Sequence, residues 1–437
     1  MVLVAAFVVF VVAMLACLVV GKSIVIALAI GFVAFTAVGV RQGFKTKQIL
    51  GMAWGSVKES IVVVEIWLMI GLLTGLWRAS GTITFFVYYG IKMVTPPIFI
   101  LLAFIMCCIL SYILGTSFAV SGTLGVMLMA LANSAGVNPL LTAGAIMSGI
   151  YFGDRCSPAS SSAILVANIT GTDLMTNVKG MFKTGMIPVI ISLIIYAVLS
   201  VRNPMNEVDS SIMDALSGDF NLTPITLVPV AFIVILPLLR LDIRWAFIGG
   251  IVSSYFVGVF CQHVSFIECA KFAILGFTPT SESLQSVLSG GGLIEMIESC
   301  IIVTIACSYS GIFAGTDMLH EIQSLLQEAM GRTGKFMAML ILSLFTCCIF
   351  CSQTISAMLC NDLMRKPYEE SGSDNYELAM DIENSAIMVC ALFPWCIAAS
   401  VPFAMLGVGG GAIAYSYLLW LVPVCYFFTK RIWYKKK

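Results

Sequence analysis

The chain has 437 residues, of which 60% are hydrophobic and 11% charged, with 23 basic and 23 acidic side chains and therefore no formal net charge. A water-soluble domain carries about 25% charged residues, so this chain cannot cover a soluble surface and reads as an all-α polytopic membrane protein. The balanced charge gives no basic field for nucleic acid, and the basic cluster at the C-terminus is too short to make one.

Taken in chain order, apolar runs fall near 2–20, 23–40, 60–77, 97–114, 118–133, 140–152, 184–200, 224–239, 245–261, 292–313, 336–351, 386–407 and 412–429. No positive segment precedes the first run and the second begins directly after Lys22, which predicts a retained span rather than a cleaved signal. Amphipathic stretches at 41–59 and 265–290 each precede the third apolar run of their half. Most of the fifteen cysteines, such as Cys107-Cys108 and Cys347-Cys348, sit in apolar runs beside Leu, Ile and Phe, and they read as reduced packing residues. The two histidines, His263 and His320, lie outside the cysteine-rich helices and in segments expected to be external, where they are solvated.

Two runs are interrupted at membrane depth. SYILGTSFAVSGT at 111–123 introduces Gly115, Thr116, Ser117, Ser121 and Gly122, and GDRCSPASSS at 153–162 introduces Pro158, which lacks a backbone donor. Non-helical backbone survives there only where protein or a water-filled cavity satisfies its polar groups, so the breaks predict a polar site. A shift of 240 positions superposes Cys107-Cys108-Ile109 on Cys347-Cys348-Ile349, Cys156 on Cys396 and Ala159-Ser160 on Ala399-Ser400, and the breaks coincide as well, Gly115-Thr116-Ser117 falling near Gln353-Thr354-Ile355-Ser356 and the Asp154-to-Pro158 break on Phe393-Pro394-Trp395. The chain therefore reads as repeat 1 at 1–201, an external acidic linker at 202–223 bearing Glu207, Asp209, Asp214 and Asp219, and repeat 2 at 224–437. Most Lys and Arg, including Arg41, Lys58, Arg240, Arg365 and the terminal KRIWYKKK, fall on one side if each half crosses an odd number of times. That distribution predicts inverted repeats, with both termini cytoplasmic, in the cell inner membrane.

The candidate chemistry concentrates at the breaks. Asp154 follows Gly153, with Ser157, Ser160, Ser161 and Ser162 close in sequence, and a carboxylate there can hold sodium or a proton but hardly both. Its alternative role is to pair with Arg155 or cap the broken helix. Thr116 and Ser117 stand at the other break of this half. The second half offers Gln353, Thr354, Ser356 and Asn361, then Glu377, Asp381 and Asn384 on one helical face with Glu383 beside it. Glu377 and Asp381 are expected at a solvated cytoplasmic mouth, with Glu383 and Asn384 one turn deeper. Glu65 and Glu298 stand in the third apolar run of each half, as either proton-active or interfacial carboxylates. Gly290-Gly291-Gly292 and Gly409-Gly410-Gly411 lack the Lys and Ser or Thr of a phosphate loop, so nucleotide-driven pumping is disfavoured. A serine hydrolase lacks its histidine near the breaks, and a channel fits paired breaks less well than alternating access.

GTSFAVSGTLGVMLMAL at 115–131, AGAIMSGIYFGDRCSPASSSAILVANITGTDL at 143–174 and LAMDIENSAIMVCALFPW at 378–395 resemble the NhaC-type sodium/proton antiporters, within the ion-transporter superfamily. The resemblance implies an oligomerising scaffold, a homodimer being its simplest form, and a mobile transport domain of elevator type. It implies exchange of Na+ for H+ in a lipid bilayer with no cofactor, which agrees with sodium held at Asp154. The family commonly has an acidic residue where this chain has Ser161, Asn where it has Ile164, and Asp where it has Asn384. Relatives also exchange sodium and protons with organic acids, so a small organic acid or amino acid stays open as the solute.

Overall fold

In a computed structural model, the described residues are all except 1, 21, 60, 94–95, 205–209, 240, 242, 282–283, 286–287, 317–332 and 434–437. Among them the fold is helical, apart from one isolated antiparallel bridge between Phe277 and Gly290. Among the described residues four helices are long and apolar enough to cross a membrane: Ile24–Arg41, Ser117–Ser134, Leu174–Arg202 and Ile294–Phe313. Two bent pairs pass the same test jointly, Trp67–Ala79 with Thr82–Tyr89 at 62° and Asn375–Leu392 with Ile397–Met405 at 50°. Broken spans are therefore a feature of the fold.

The N-terminal half begins with α1 (Val2–Val20), α2 (Ile24–Arg41), α3 (Thr46–Glu59), α4 (Ile61–Ala79) and α5 (Thr82–Met93). It continues with α6 (Phe99–Leu114), α7 (Ser117–Ser134), α8 (Pro139–Cys156), α9 (Ser161–Thr170) and α10 (Leu174–Arg202). A short helix α11 (Ser210–Asp219) lies in the expected linker and packs on α5 with Leu216 buried, so that segment is not a bare loop. The linker's Glu207 and Asp209 lie outside the described residues.

The C-terminal half has α12 (Val228–Leu238), α13 (Ile243–Phe260), α14 (Phe266–Leu275), α15 (Ile297–Thr316) and α16 (Lys335–Phe350). It ends with α17 (Gln353–Glu370), α18 (Asn375–Leu392, interrupted at Asn384 and Ser385), α19 (Ile397–Met405) and α20 (Tyr417–Trp433). The amphipathic stretches become α3 and α14, which expose Leu50 and Trp54, and Phe266, Ile267 and Leu275. The exposed apolar faces of α10, with Ile190, Ile194 and Val198, belong in hydrocarbon for the same reason that a soluble helix buries its own.

The backbone repeats at an offset of 236, four residues from the 240 that aligns the cysteines. The helices α6 and α16 both have 16 residues and start at Phe99 and Lys335. Each ends in a left-handed cap, Gly115 at φ 67° and Cys351 at φ 55°. An extended residue follows, Thr116 at φ −146° and Ser352 at φ −134°, and then α7 or α17 begins. The later breaks match as well: Ser157 and Phe393 are both extended, as are Ser160 and Cys396, and Gly171 and Gly407 have φ 69° and 67°. A slip of four is about one helical turn, so the sequence comparison kept the correct helix face while missing the register.

Packing divides the helices into two groups. The last five elements of each half share apolar cores, one joining Phe104, Tyr151 and Tyr196 to Met388 and Phe403, another joining Val166 and Met181 to Leu342, Met364 and Tyr426. The first elements interlock across the halves: α2 and α3 pack on α15, while α13 and α14 pack on α4. Ile349, Phe350 and Trp395 join one side of that frame, and Val126, Val401 and Met405 join the other.

Candidate functional site

Each half brings its two breaks together. A Cβ built on Gly115 would lie 2.5 Å from the carbonyl carbon of Ala159, and one on Gly153 would lie 2.1 Å from that of Ser111, so glycine at both positions lets backbone cross backbone. In the other half the Ile397 N–H donates to the Cys351 carbonyl at 2.9 Å, which closes the equivalent crossing.

Asp154 is buried at the first crossing. Its carboxylate lies against the Gln353 side-chain amide, the Ser117 backbone N–H and the Ser160 hydroxyl, so both halves contribute to it. Gln353 also donates through Nε2 to the Ile387 carbonyl at 2.9 Å, which orients its amide. Ser162 donates to the Asp154 carbonyl at 2.8 Å, as does Ser160, and the two hydroxyls are 2.8 Å apart. These serines satisfy a carbonyl that the end of α8 would otherwise orphan. Ser160 also caps α9 by accepting from the N–H groups of Ser162 and Ala163.

Glu383 is completely buried, and neither carboxylate oxygen has a hydrogen-bond partner among the described residues. It stands within electrostatic range of Asp154 and Arg155. Arg155 does not pair with Asp154. Its Nη2 donates to Thr184 Oγ1 at 2.8 Å and to Asn384 Oδ1 at 2.7 Å, and Nη1 donates to the Met181 carbonyl at 3.1 Å. Gly185 makes room for it, since a Cβ there would meet Nη1 at 2.8 Å. Asn384 is therefore an acceptor for the guanidinium, and its own Nδ2 donates to the Met380 carbonyl at 2.7 Å.

The other candidates separate by position. Ser117 and Ser157 are buried, Thr116 and Gln353 are half-buried, and Ser356 is buried with a hydroxyl that has no partner among the described residues. Ser157 accepts from the Ala159 N–H at 3.1 Å and so shapes the break. Ser161 and Thr354 are exposed and stand apart from the buried carboxylates.

Asp381 departs from expectation. It is fully buried rather than solvated, and it accepts from Tyr426 at 2.8 Å, from Tyr368 and from Lys430, which also pairs with Glu377 at 2.8 Å. A counter-charge on α20 explains how a carboxylate can be held there. Glu65 pairs with Arg244 at 3.9 Å, with both side chains nearly half exposed, and Glu298 accepts from Ser23. His263 is exposed, and His320 lies outside the described residues.

Sequence reasoning missed two participants. Arg155 carried a signal, an arginine at membrane depth, yet its partners on α10 and α18 are distant in sequence. Tyr151, whose hydroxyl donates to the Ala398 carbonyl at 2.5 Å beside Ser117 and Asp154, carried none. Among the described residues no three His, Cys, Asp or Glu side chains gather as a metal centre, so a cation here would be coordinated by a carboxylate, hydroxyls and carbonyls.

The chain is 26% identical to the malate-2H(+)/Na(+)-lactate antiporter of Bacillus subtilis (strain 168), over 94% of this chain and 90% of that protein. It is 28% identical to the arginine/ornithine antiporter ArcD of Halobacterium salinarum, over 83% and 77%. It is 25% identical to the Na(+)/H(+) antiporter NhaC of Alkalihalophilus pseudofirmus, over 84% and 81%. The Na+/H+ antiporter family model matches residues 1–166 and 149–429, nearly the whole length. With its polar site built where broken apolar helices cross, this chain belongs to the Na+/H+ antiporter family and is a transporter rather than an enzyme.

Proposed function

We propose that the chain exchanges Na+ for H+ across the cytoplasmic membrane, with Asp154 as the coupling carboxylate and Glu383 as a second one reaching the same region from the other half. The observation that carries this reading is a pair of buried carboxylates at helix breaks, one cradled by Ser117, Ser160 and Gln353, the other with neither oxygen hydrogen-bonded among the described residues. A buried, unpaired carboxylate is costly until a proton or a cation satisfies it. Either ligand neutralises the site and the two exclude one another, which is the physical basis of exchange.

The matched break conformations at an offset of 236 support two inverted repeats, split at 1–201 and 224–437 by an external linker. The grouping of packed cores supports a frame of first helices and a mobile body of last helices, working as an elevator in a homodimer. Lys335, Arg365, Lys366 and Lys430 support a cytoplasmic position for the Glu377 end of α18, and for both termini.

The test uses purified protein in liposomes that enclose a pH-sensitive dye. Sodium added against an imposed pH gradient should move protons in wild type and not in Asp154→Asn. Undiminished sodium-dependent proton movement in that variant would sink the assignment.

A second reading couples the same ions to a small organic acid or amino acid. It is favoured by Asn384, whose neutral amide leaves the site with less negative charge, and by relatives named for malate and lactate or for arginine and ornithine.

A further inference from the structure

The three consecutive glycines that resemble a phosphate loop serve another purpose. Gly290, Gly291 and Gly292 all have positive φ, at 111°, 74° and 93°. They press the loop against α4, where a Cβ on Gly291 would lie 2.7 Å from the Gly75 nitrogen and 2.8 Å from Arg78 Nη1. Only residues without a side chain allow that approach. The result is a cavity of ≈ 200 Å³ between α4, this loop and the far ends of α7 and α19.

Its charged lining is one base and one acid. Arg78 Nη1 donates to the Thr74 carbonyl at 3.0 Å, which fixes the guanidinium, while Nε is buried without a partner among the described residues. A Cβ on Gly290 would lie 4.0 Å from Arg78 Nη2 and 3.9 Å from Glu295 Oε2, so the two charges converge on one point of the loop. Asn133, Ser289 and Thr74 add neutral polar groups, and Met129 and Met405 add apolar surface. None of the residues around Asp154 lines this cavity. Along α7, the lining residues from Val126 to Asn133 stand about 14–24 Å beyond Ser117 at 1.5 Å per residue, so the cavity is a separate place.

We propose that this cavity binds a small zwitterionic α-amino acid, with Arg78 taking the carboxylate and Glu295 the ammonium group. A planar guanidinium suits a carboxylate through two parallel N–H donors, and the acid placed across from it offers nothing to a second anion but pairs an ammonium. A simple carboxylate would leave Glu295 facing like charge, and a simple amine would leave Arg78 unmatched. Solutes with both groups on one carbon satisfy both ends. The inference goes beyond the organic-solute reading by adding a second binding place, and it is independent of whether Asp154 couples ions.

The test is ligand-induced thermal stabilisation of the purified full chain in detergent, which reads binding without ion flux and therefore fails separately from the exchange assay. L-Alanine should raise the unfolding temperature saturably, whereas L-lactate, lacking the ammonium, and L-alaninamide, lacking the carboxylate, should not at equal concentration. Arg78→Gln and Glu295→Gln should each weaken the L-alanine response roughly tenfold or more, as removal of one partner of a charge pair does. Arg78→Lys, which keeps the charge and loses the fork, guards against a folding defect and should weaken it too. No saturable response to L-alanine, an equal response to L-lactate or L-alaninamide, or an unchanged response in Glu295→Gln would each overturn the proposal.

Discussion

The two helix crossings have the same backbone and different chemistry. At the offset of 236, Gln353 corresponds to Ser117, and both reach Asp154. The counterpart of Asp154 itself is Cys390, and that of Ser160 is Cys396; their sulfurs stand 2.8 Å apart where the first half has a carboxylate and a hydroxyl. Phe393, Pro394 and Trp395 fill the second break, with Trp395 donating to the Cys348 carbonyl at 2.8 Å. The carboxylate of the second half, Glu383, corresponds to Met147 in the first. A repeated scaffold has thus kept its turns and concentrated its charge at one crossing, with the other crossing packed by thiols and aromatics.

The comparison breaks most directly on substitution at the paired positions. Asp154→Asn should abolish sodium-dependent proton movement, whereas Cys390→Ala should retain most of it, both read in the same vesicles. Comparable losses would mean that both crossings carry ions. Glu383→Gln should act in opposite directions on two readouts: exchange falls, while the unfolding temperature rises because a buried carboxylate without a hydrogen-bond partner among the described residues has been removed. A fall in both would place Glu383 in a structural ion pair with Arg155.

The caps should differ next. Gly115→Ala adds a left-handed penalty of about 1–2 kcal/mol and a clash with Ala159, and should lower the unfolding temperature, whereas Cys351→Gly should lower it less, since relief of a side chain held at φ 55° offsets part of the packing lost with a buried sulfur. Away from the crossings the effects shrink. Glu65→Gln removes a half-exposed pair with Arg244, and its cost should stay within about 1 kcal/mol and vanish at high salt.

Much of this site was legible because helix breaks announce themselves. Gly115, Thr116 and Pro158 interrupt apolar runs, and Asp154 and Glu383 are carboxylates where carboxylates are expensive. What escaped depended on contacts between distant segments. Asp381 sits near a helix start and looks solvated until Lys430 and Tyr426 of α20 are brought onto it. Arg155 looked like a partner for its neighbour Asp154, yet successive helical residues point about 100° apart, and its guanidinium turns to Thr184 and Asn384. Ser161 belonged to the right run of serines but to the exposed face of α9, while Ser160 and Ser162 face inward.

The interlocked first helices have a consequence for how the protein is made. The helix α4 finds its packing partners on α13 and α14, whose synthesis begins roughly 160 residues later, about 8–30 s at ribosomal rates of about 5–20 residues per second. Until then the glycines at 71 and 75 lack the loop at 291–292 that they receive in the finished fold. Assembly of the frame therefore waits for the second half, and truncation anywhere before residue 243 leaves α4 with its α3 and α5 contacts but without those to α13 and α14.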